Sequence, residues 1–350
     1  MIGDKIREKR IDSGLLIREV ASYLNVDASL VSKFEAGTRK PTRDQVIKLA
    51  TFLGLDAHEL IVDWLSNQII EDLGYSEFAL EVLSVAESKV RYGAKKAIKE
   101  ETDELQALLN QIDEFKTKLE THRNLDSYRI AQALELEYTF ESNRIEGNTL
   151  TLKETDLIIN EGITISGKSM REHLEAINHK EAVGFVKDLV DKDADFGERD
   201  LLHLHALILK GIDAQNAGIY RDVQVMIKGS RHLPPQPYLV RKQMEDLFFW
   251  YQTNKAHLHP VVLAAELSER LVTVHPFIDG NGRTSRLVMN LILLKHGYVI
   301  ANIKGDVENR MRYYQSLENA QVDKQKTDFH LFIAQEELNA LKRYCEILGI

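Results

Sequence analysis

Cysteine is almost absent: Cys345 stands alone among 350 residues. That excludes an intrachain disulfide and a cysteine-based zinc site, and it suits a reducing, cytoplasmic setting. Long apolar runs are missing too, since no window approaches the ~18 uninterrupted apolar residues of a membrane span. The most apolar stretch, Leu287–Leu294, is broken by Asn290 and flanked by Arg286 and Lys295, so it predicts a core helix and no membrane partner. The opening Met1-Ile2-Gly3-Asp4-Lys5 carries charge at once, which argues against a signal peptide. There is no basic excess either: a net charge of −9 gives no overall case for nucleic acid. Internal repeats and low-complexity linkers are lacking as well.

What remains, 44% hydrophobic and 28% charged, is ordinary globular composition, long enough for two or three domains. Its charge is uneven, and residues 1–50 hold ten Lys or Arg against seven Asp or Glu. The first sixty residues predict four or five short helices. Ile2, Ile6 and Ile11 end at Gly14; Ile17, Val20, Ala21 and Leu24 precede an Asn25-Val26-Asp27 turn; Leu30, Val31 and Phe34 stop at Gly37; Pro41-Thr42 opens a run to Leu53. Two short helices about a turn, followed by more, is helix-turn-helix anatomy. Residues 3–56 resemble the Cro/repressor-like (XRE) family, through Ile-Arg-Glu-Lys-Arg at 6–10, Val-Ser-Lys-Phe-Glu-Ala-Gly at 31–37 and Arg-Lys-Pro-Thr at 39–42. The resemblance implies a recognition helix exposing Ser29, Ser32 and Lys33, with phosphate contacts from Arg39, Lys40 and Arg43, and duplex DNA as a partner. Many such repressors begin the second helix with glutamine where Ile17 stands here, so the likeness carries the fold further than sequence-specific reading. The alternative is a helical module for dimerisation or protein contact.

From 63 to 125 the chain is helical and highly charged. Leu105, Leu108, Leu109, Ile112, Phe115 and Leu119 form a narrow apolar stripe, which predicts a connector that packs on the following domain or pairs with a second copy in a homodimer.

The densest chemistry lies in His275-Pro276-Phe277-Ile278-Asp279-Gly280-Asn281-Gly282-Arg283, followed by Thr284-Ser285-Arg286. A glycine turn feeding a helix presents free backbone N–H groups and a positive dipole end, which suits phosphate. Arg283 and Arg286, three apart, share one helix face. Asp279 is a hard oxygen ligand beside that anion, and His275 can take a proton near neutral pH. This inventory describes a nucleotide-handling enzyme with a general base.

The same run matches every fixed position of the Fic signature, and the region 126–350 resembles a Fic domain. The resemblance implies a protein adenylyltransferase that moves AMP from Mg-ATP to a Ser, Thr or Tyr hydroxyl of a protein, the chain itself included. His275 would be the base and Asp279 the Mg²⁺ ligand. Phe277, Gly280, Asn281, Gly282, Arg283 and Arg286 would seat the nucleotide. Tyr313, Tyr314 and Gln321 follow the signature helix, where the family has a Tyr-Tyr pair and an Asn contributing to the adenine pocket; Gln321 departs from that Asn. Family members that bind the nucleotide reversed and act as kinases carry lysine in place of Gly282. Ser142-Asn143-Arg144-Ile145-Glu146-Gly147 matches the family's inhibitory motif, which implies that a helix near 131–147 delivers Glu146, beside Ser142, to Arg286.

At 219–240, Val223, Val225 and Ile227 alternate with Gln224, Met226 and Lys228, Gly229-Ser230 turns, and Pro234-Pro235 marks an edge. This spacing predicts a β-hairpin. The resemblance makes it the flap on which a target segment docks, at Val225, Met226, Ile227 and Lys228, and Gly218-x-x-Arg221 ahead of it fits the family pattern. His203-x-His205 and His257-x-His259 lack partners at zinc spacing and read as helix or loop histidines. The expected architecture is mainly α: a helix-turn-helix bundle (1–62), a helical connector (63–125) and an all-α Fic domain with a small β-hairpin flap (126–350). Two other functions remain open: a DNA-binding autorepressor whose Fic domain mainly binds ATP, and a Fic-fold phosphotransferase.

Overall fold

Among the described residues, helices account for every regular element. The structure, a computed structural model, describes residues 2–74, 78–122, 128–192 and 195–350, with the side chains of 58 and 88–101 left aside. The chain divides into two compact units, Met1–Lys96 and Ala97–Ile350.

The first unit holds α1 (Ile2–Asp12), α2 (Ile17–Leu24), α3 (Ala28–Glu35), α4 (Arg43–Leu53) and α5 (Ala57–Leu73). The boundaries follow local chemistry. Asp27 accepts from Ser29 N at 2.7 Å, Thr42 and Gln45 form a capping box, and Asn25 and Gly54 end their helices in the left-handed region. Ile6, Val20, Val31, Phe34 and Leu49 are fully buried in its core. Ile17 packs against that core, which accounts for an apolar residue at this position. Arg10 grips Glu35 through two hydrogen bonds, 2.6 and 2.9 Å, tying α1 to the end of α3.

The second unit takes in the later part of α6 (Ala79–Thr121), then α7 (Tyr128–Ile145), α8 (Leu152–Glu161), α9 (Met170–Asp191), α10 (Glu198–Leu209), α11 (Pro237–Asn254), α12 (Pro260–Val274), α13 (Asn281–Lys295), α14 (Val307–Glu318) and α15 (Lys326–Leu348). The connector stripe is used: Leu109, Ile112 and Leu119 are buried in the main core. At the centre, α13 buries Leu287, Val288, Met289, Leu291, Ile292 and Leu293 along its later turns, with Asn290 among them bonded to Ala301. It packs most extensively against α12, and the loop between them holds the signature residues. No helix among the described residues is long and apolar enough to cross a membrane.

The predicted β-hairpin is not there. No strand occurs among the described residues, and 221–236 is an irregular loop. Within it one backbone pair closes, Ser230 N to Ile227 O. Side chains tie the arms together instead. Arg221 donates to Val223 O at 3.0 Å and Pro235 O at 2.7 Å, and Gln224 donates to Pro234 O at 2.9 Å. Pro234 and Pro235 supply no N–H to a ladder, and an isolated two-stranded ribbon is marginal in water. Alternation without a sheet partner therefore did not produce a strand.

Because Leu291 is fully buried in α13, Leu291→Ala should destabilise the second unit by ~2–5 kcal/mol, read as a shifted midpoint in urea at unchanged slope.

Candidate active site

The site is built on the turn between α12 and α13. The last turn of α12 ends at His275, which adopts a left-handed backbone (φ 49°), and Gly280 (φ 78°) turns the chain into α13. A histidine pays for that conformation in strain, so the surroundings must hold it. Asn281 closes the loop, accepting from Phe277 N at 3.0 Å and donating to Phe277 O at 2.9 Å. Phe277 is buried and stacks on His205, centroids 3.6 Å apart. The His205 Nδ1 accepts from Gly218 N (2.9 Å), so its Nε2 carries the proton and donates to Asp279 O (2.9 Å). Burial pushes His205 down to about 4, which keeps that neutral tautomer in place. Arg221, also buried, donates to His275 O at 2.8 Å, and its backbone N–H reaches Pro276 O at 2.9 Å.

His275 is fit for a base. Its Nδ1 faces the Val272 carbonyl at 3.3 Å, which can only accept, so Nδ1 holds the proton and Nε2 keeps its lone pair. Burial, helped by the Arg221 charge, pushes the imidazole down to about 4. It is therefore neutral at pH 7.

The start of α13 forms the anion cradle. Gly280, Asn281 and Gly282 place backbone at a helix N-terminus, with Arg283 and Arg286 behind it. Arg283 is 2% exposed, and its Nε and Nη1 have no hydrogen-bond partner, although Nη1 lies 3.2 Å from Glu175 Oε1. A buried guanidinium with unspent donors suits an incoming anion. Arg286, 1% exposed, is fully engaged by the end of α7: Nε donates to Ser142 Oγ at 3.2 Å, and Nη2 to Ser142 O and Glu146 Oε1, both at 2.8 Å. Burial works against the Arg286 charge, but the Glu146 carboxylate outweighs it and raises the guanidinium further. That carboxylate also lies directly on Gly282, where an added Cβ would run into it. Glu146 thus occupies the cradle as well as its arginine.

Asp279 is half-exposed at the mouth. Burial alone would raise its carboxyl, but Arg283, the Gly280 N–H and Arg171 together hold it below the usual range. No group of three or more His, Cys, Asp or Glu that could hold a metal occurs among the described residues. A single carboxylate beside a phosphate cradle fits Mg²⁺, which keeps waters and shares phosphate oxygens, and does not fit zinc.

The remaining predicted residues separate. Tyr313 is buried under Arg286, its ring centroid 6.0 Å from the guanidinium carbon, and packs near Phe329 and Phe332. Tyr314 is exposed at the rim and donates to Ile145 O at 3.1 Å. Gln321 is buried, its Nε2 without a hydrogen-bond partner. Val225, Met226, Ile227 and Lys228 lie on the irregular loop, Met226 exposed. In the first unit Ser29, Ser32, Lys33, Arg39, Lys40 and Arg43 are all exposed, and Lys40 is paired with Glu71. Four contributors escape sequence reasoning: Asn148, Arg171, Glu175 and His205. A cavity of about 650 Å³ elsewhere in the second unit, lined by Leu134, Val190, Tyr298, Asn302 and Arg343 among others, includes none of these residues.

Residues 195–293 match the Fic/DOC family model, and residues 6–60 match a helix-turn-helix model. A protein adenylyltransferase Fic of Nematostella vectensis is 36% identical over 61% of this chain and 50% of its own length. The chain thus spans about half the length of this curated relative. Among solved structures, Fic-1 (residues 134–508) of Caenorhabditis elegans is 26% identical with a TM-score of 0.63, over 95% of this chain and 97% of that one. A Fic family protein of Desulfovibrio desulfuricans G20 is 26% identical with a TM-score of 0.61, over 70% and 74%.

The depressed imidazole is directly measurable. In a proton NMR titration, the resonance missing from His275→Ala should titrate near pH 4, well below the ordinary ~6.5. Titration at 6 or above would mean that His275 is solvated.

Proposed function

We propose, for a chain that carries a Fic/DOC-family domain behind a helix-turn-helix domain, that it transfers AMP from ATP to a protein hydroxyl and that Glu146 restrains the transfer. One observation carries this reading: a neutral His275 stands beside an anion cradle whose Arg286 is held by Glu146 at 2.8 Å. The Nε2 of His275 takes the proton of a target Ser, Thr or Tyr, whose oxygen attacks the α-phosphorus and expels pyrophosphate. Backbone N–H groups at 281 and 282 receive phosphate oxygens, and Arg283 and Arg286 balance the β- and γ-phosphate charge. Asp279 would hold the Mg²⁺ that neutralises the phosphates. Relatives named protein adenylyltransferases, together with Gly282 in place of lysine, favour AMP as the group moved. A target segment would meet the loop 221–236 through side chains such as Met226, since no strand edge is offered.

While Glu146 keeps Arg286, the γ-phosphate has no partner and its place is filled by a carboxylate. A charge-assisted contact of this kind nets ~1.5–3 kcal/mol, enough to slow turnover ~10–100-fold yet remain releasable. With ATP labelled at the α-phosphate and cell lysate, the wild type should modify itself and other proteins weakly. Glu146→Gly should raise labelling ~10-fold or more, and Glu146→Gly with Arg286→Ala should lose that gain. His275→Ala should lower it by ~10²–10⁴. Label from γ alone would identify a kinase. Equal labelling of wild type and Glu146→Gly would rule out the restraint.

We further propose that the head binds duplex DNA, as its exposed Lys33, Arg39 and Arg43 support. The full chain should shift DNA from upstream of its gene in a salt-dependent way, with affinity falling by ~0.9 logarithmic unit per contact for each tenfold rise in salt. Replacing these three by alanine should flatten that dependence, whereas Lys40→Ala should matter less because Glu71 already holds Lys40. No shift at low salt would leave the head as a protein-contact module.

A further inference from the structure

Arg171 lies over the metal-facing side of the site, in a role no signature residue predicts. It is the second residue of α9, and its Nη2 donates to Asp279 Oδ2 at 2.5 Å while its Nε donates to Glu175 Oε1 at 3.2 Å. The other Asp279 oxygen is already committed, accepting from its own Gly280 N–H at 2.6 Å with Arg283 Nη2 3.5 Å away. Oδ2 is thus the oxygen left to coordinate a cation, and a guanidinium sits on it. A divalent ion at ~2.0–2.1 Å from an oxygen and an arginine hydrogen-bonded to it repel each other and crowd the same lone pairs. Of the two arginines facing Asp279, Arg283 is sealed in at 2% exposed, while the Arg171 side chain is 57% exposed and free to turn into solvent. Glu175 aims Arg171: it is nearly buried, accepts from Asn148 at 2.9 Å through its second oxygen, and faces Arg283. A half-exposed pair of this kind adds little to stability, so its consequence lies in what it competes with.

We propose that Arg171 holds the place of the divalent cation on Asp279 Oδ2, and so sets the cation concentration at which the Mg–nucleotide complex binds. This rests on Asp279 being the cation's carboxylate, as proposed above. Arg171 is a positioning residue: it touches neither base nor target and acts through Asp279. Removing its charge frees the oxygen and makes the local field more negative, which together tighten cation binding by about three- to tenfold.

The test measures binding of α,β-methylene ATP, which cannot give up its AMP, to the full-length chain by calorimetry at increasing Mn²⁺ and in EDTA. Arg171→Gln should lower the Mn²⁺ concentration for half-maximal binding about three- to tenfold and leave affinity in EDTA within about twofold. Arg171→Lys, which keeps a cation, should shift it less. An unchanged or raised Mn²⁺ requirement in Arg171→Gln overturns the proposal, and so does weakened binding in EDTA, which would make Arg171 a phosphate ligand. Asp279→Asn should abolish the Mn²⁺ dependence. Persistence of that dependence would remove the cation from Asp279 and this inference with it, whereas its loss alongside an unaffected Arg171→Gln rejects the inference alone.

Discussion

A guanidinium that is 1% exposed cannot stand alone, and much of the second unit is arranged around that constraint. Arg286 points from a core helix into protein, so another element must bring it oxygens. The end of α7 brings three: Ser142 Oγ, Ser142 O and Glu146 Oε1. The carboxylate lies so close to Gly282 that a Cβ there would have to push it aside. It also resolves an electrostatic oddity. A carboxylate just past the end of a helix faces an unfavourable dipole, yet this one lies against the N-terminus of α13, whose dipole favours it. The end of one helix is made tolerable by the start of another.

A second constraint acts on His275. The left-handed backbone of His275 is held from outside by Arg221, which gives its hydrogen bonds to carbonyl oxygens of His275, Val223 and Pro235. The same side chain thus holds the turn that carries His275 and the loop beside it. A dedicated sheet is unnecessary, because a buried arginine with carbonyl partners replaces the ladder. Burial lowers the affinity of Arg221 for its proton, but a guanidinium starts so high that its charge persists and contributes to keeping His275 neutral.

Local and periodic features were readable in the sequence. The head helices, their caps, the connector stripe and the core helix α13 all follow from spacing and end signals, and the signature loop places base, cradle and arginines within twelve residues. The Glu146–Arg286 contact spans 140 positions and was reachable only through a family motif. Nothing local marks Arg171 as a partner of Asp279, 108 residues away; beside Glu175 it reads as an ordinary i, i+4 surface pair. His205 looked like one half of a histidine pair, and its bridging role depends on Gly218 and Asp279 arriving from elsewhere. The hairpin failed for the opposite reason. Its alternation is local, but a strand needs a partner, and on the far arm Pro234-Pro235 offer no donors while the Arg231 and His232 N–H groups are spent on Glu318 and Ser230 side chains.

The two ion pairs over the cradle differ in which member can leave. Arg286 is sealed in, so in that pair the member able to leave is Glu146, whose side chain is 33% exposed. In the other pair it is the exposed arginine that can swing away, while Asp279 stays anchored by the Gly280 N–H and the His205 hydrogen bond to its carbonyl. In one pair the carboxylate is thus the movable member, and in the other the guanidinium. The segments are also joined, because Asn148, two residues beyond Glu146, donates to the carboxylate of Glu175 that aims Arg171. The segment that carries Glu146 is thus hydrogen-bonded to the same carboxylate that holds Arg171. On the function proposed above, a magnesium–nucleotide complex would engage Arg286 and Asp279 at once, and these are the two groups that Glu146 and Arg171 now occupy.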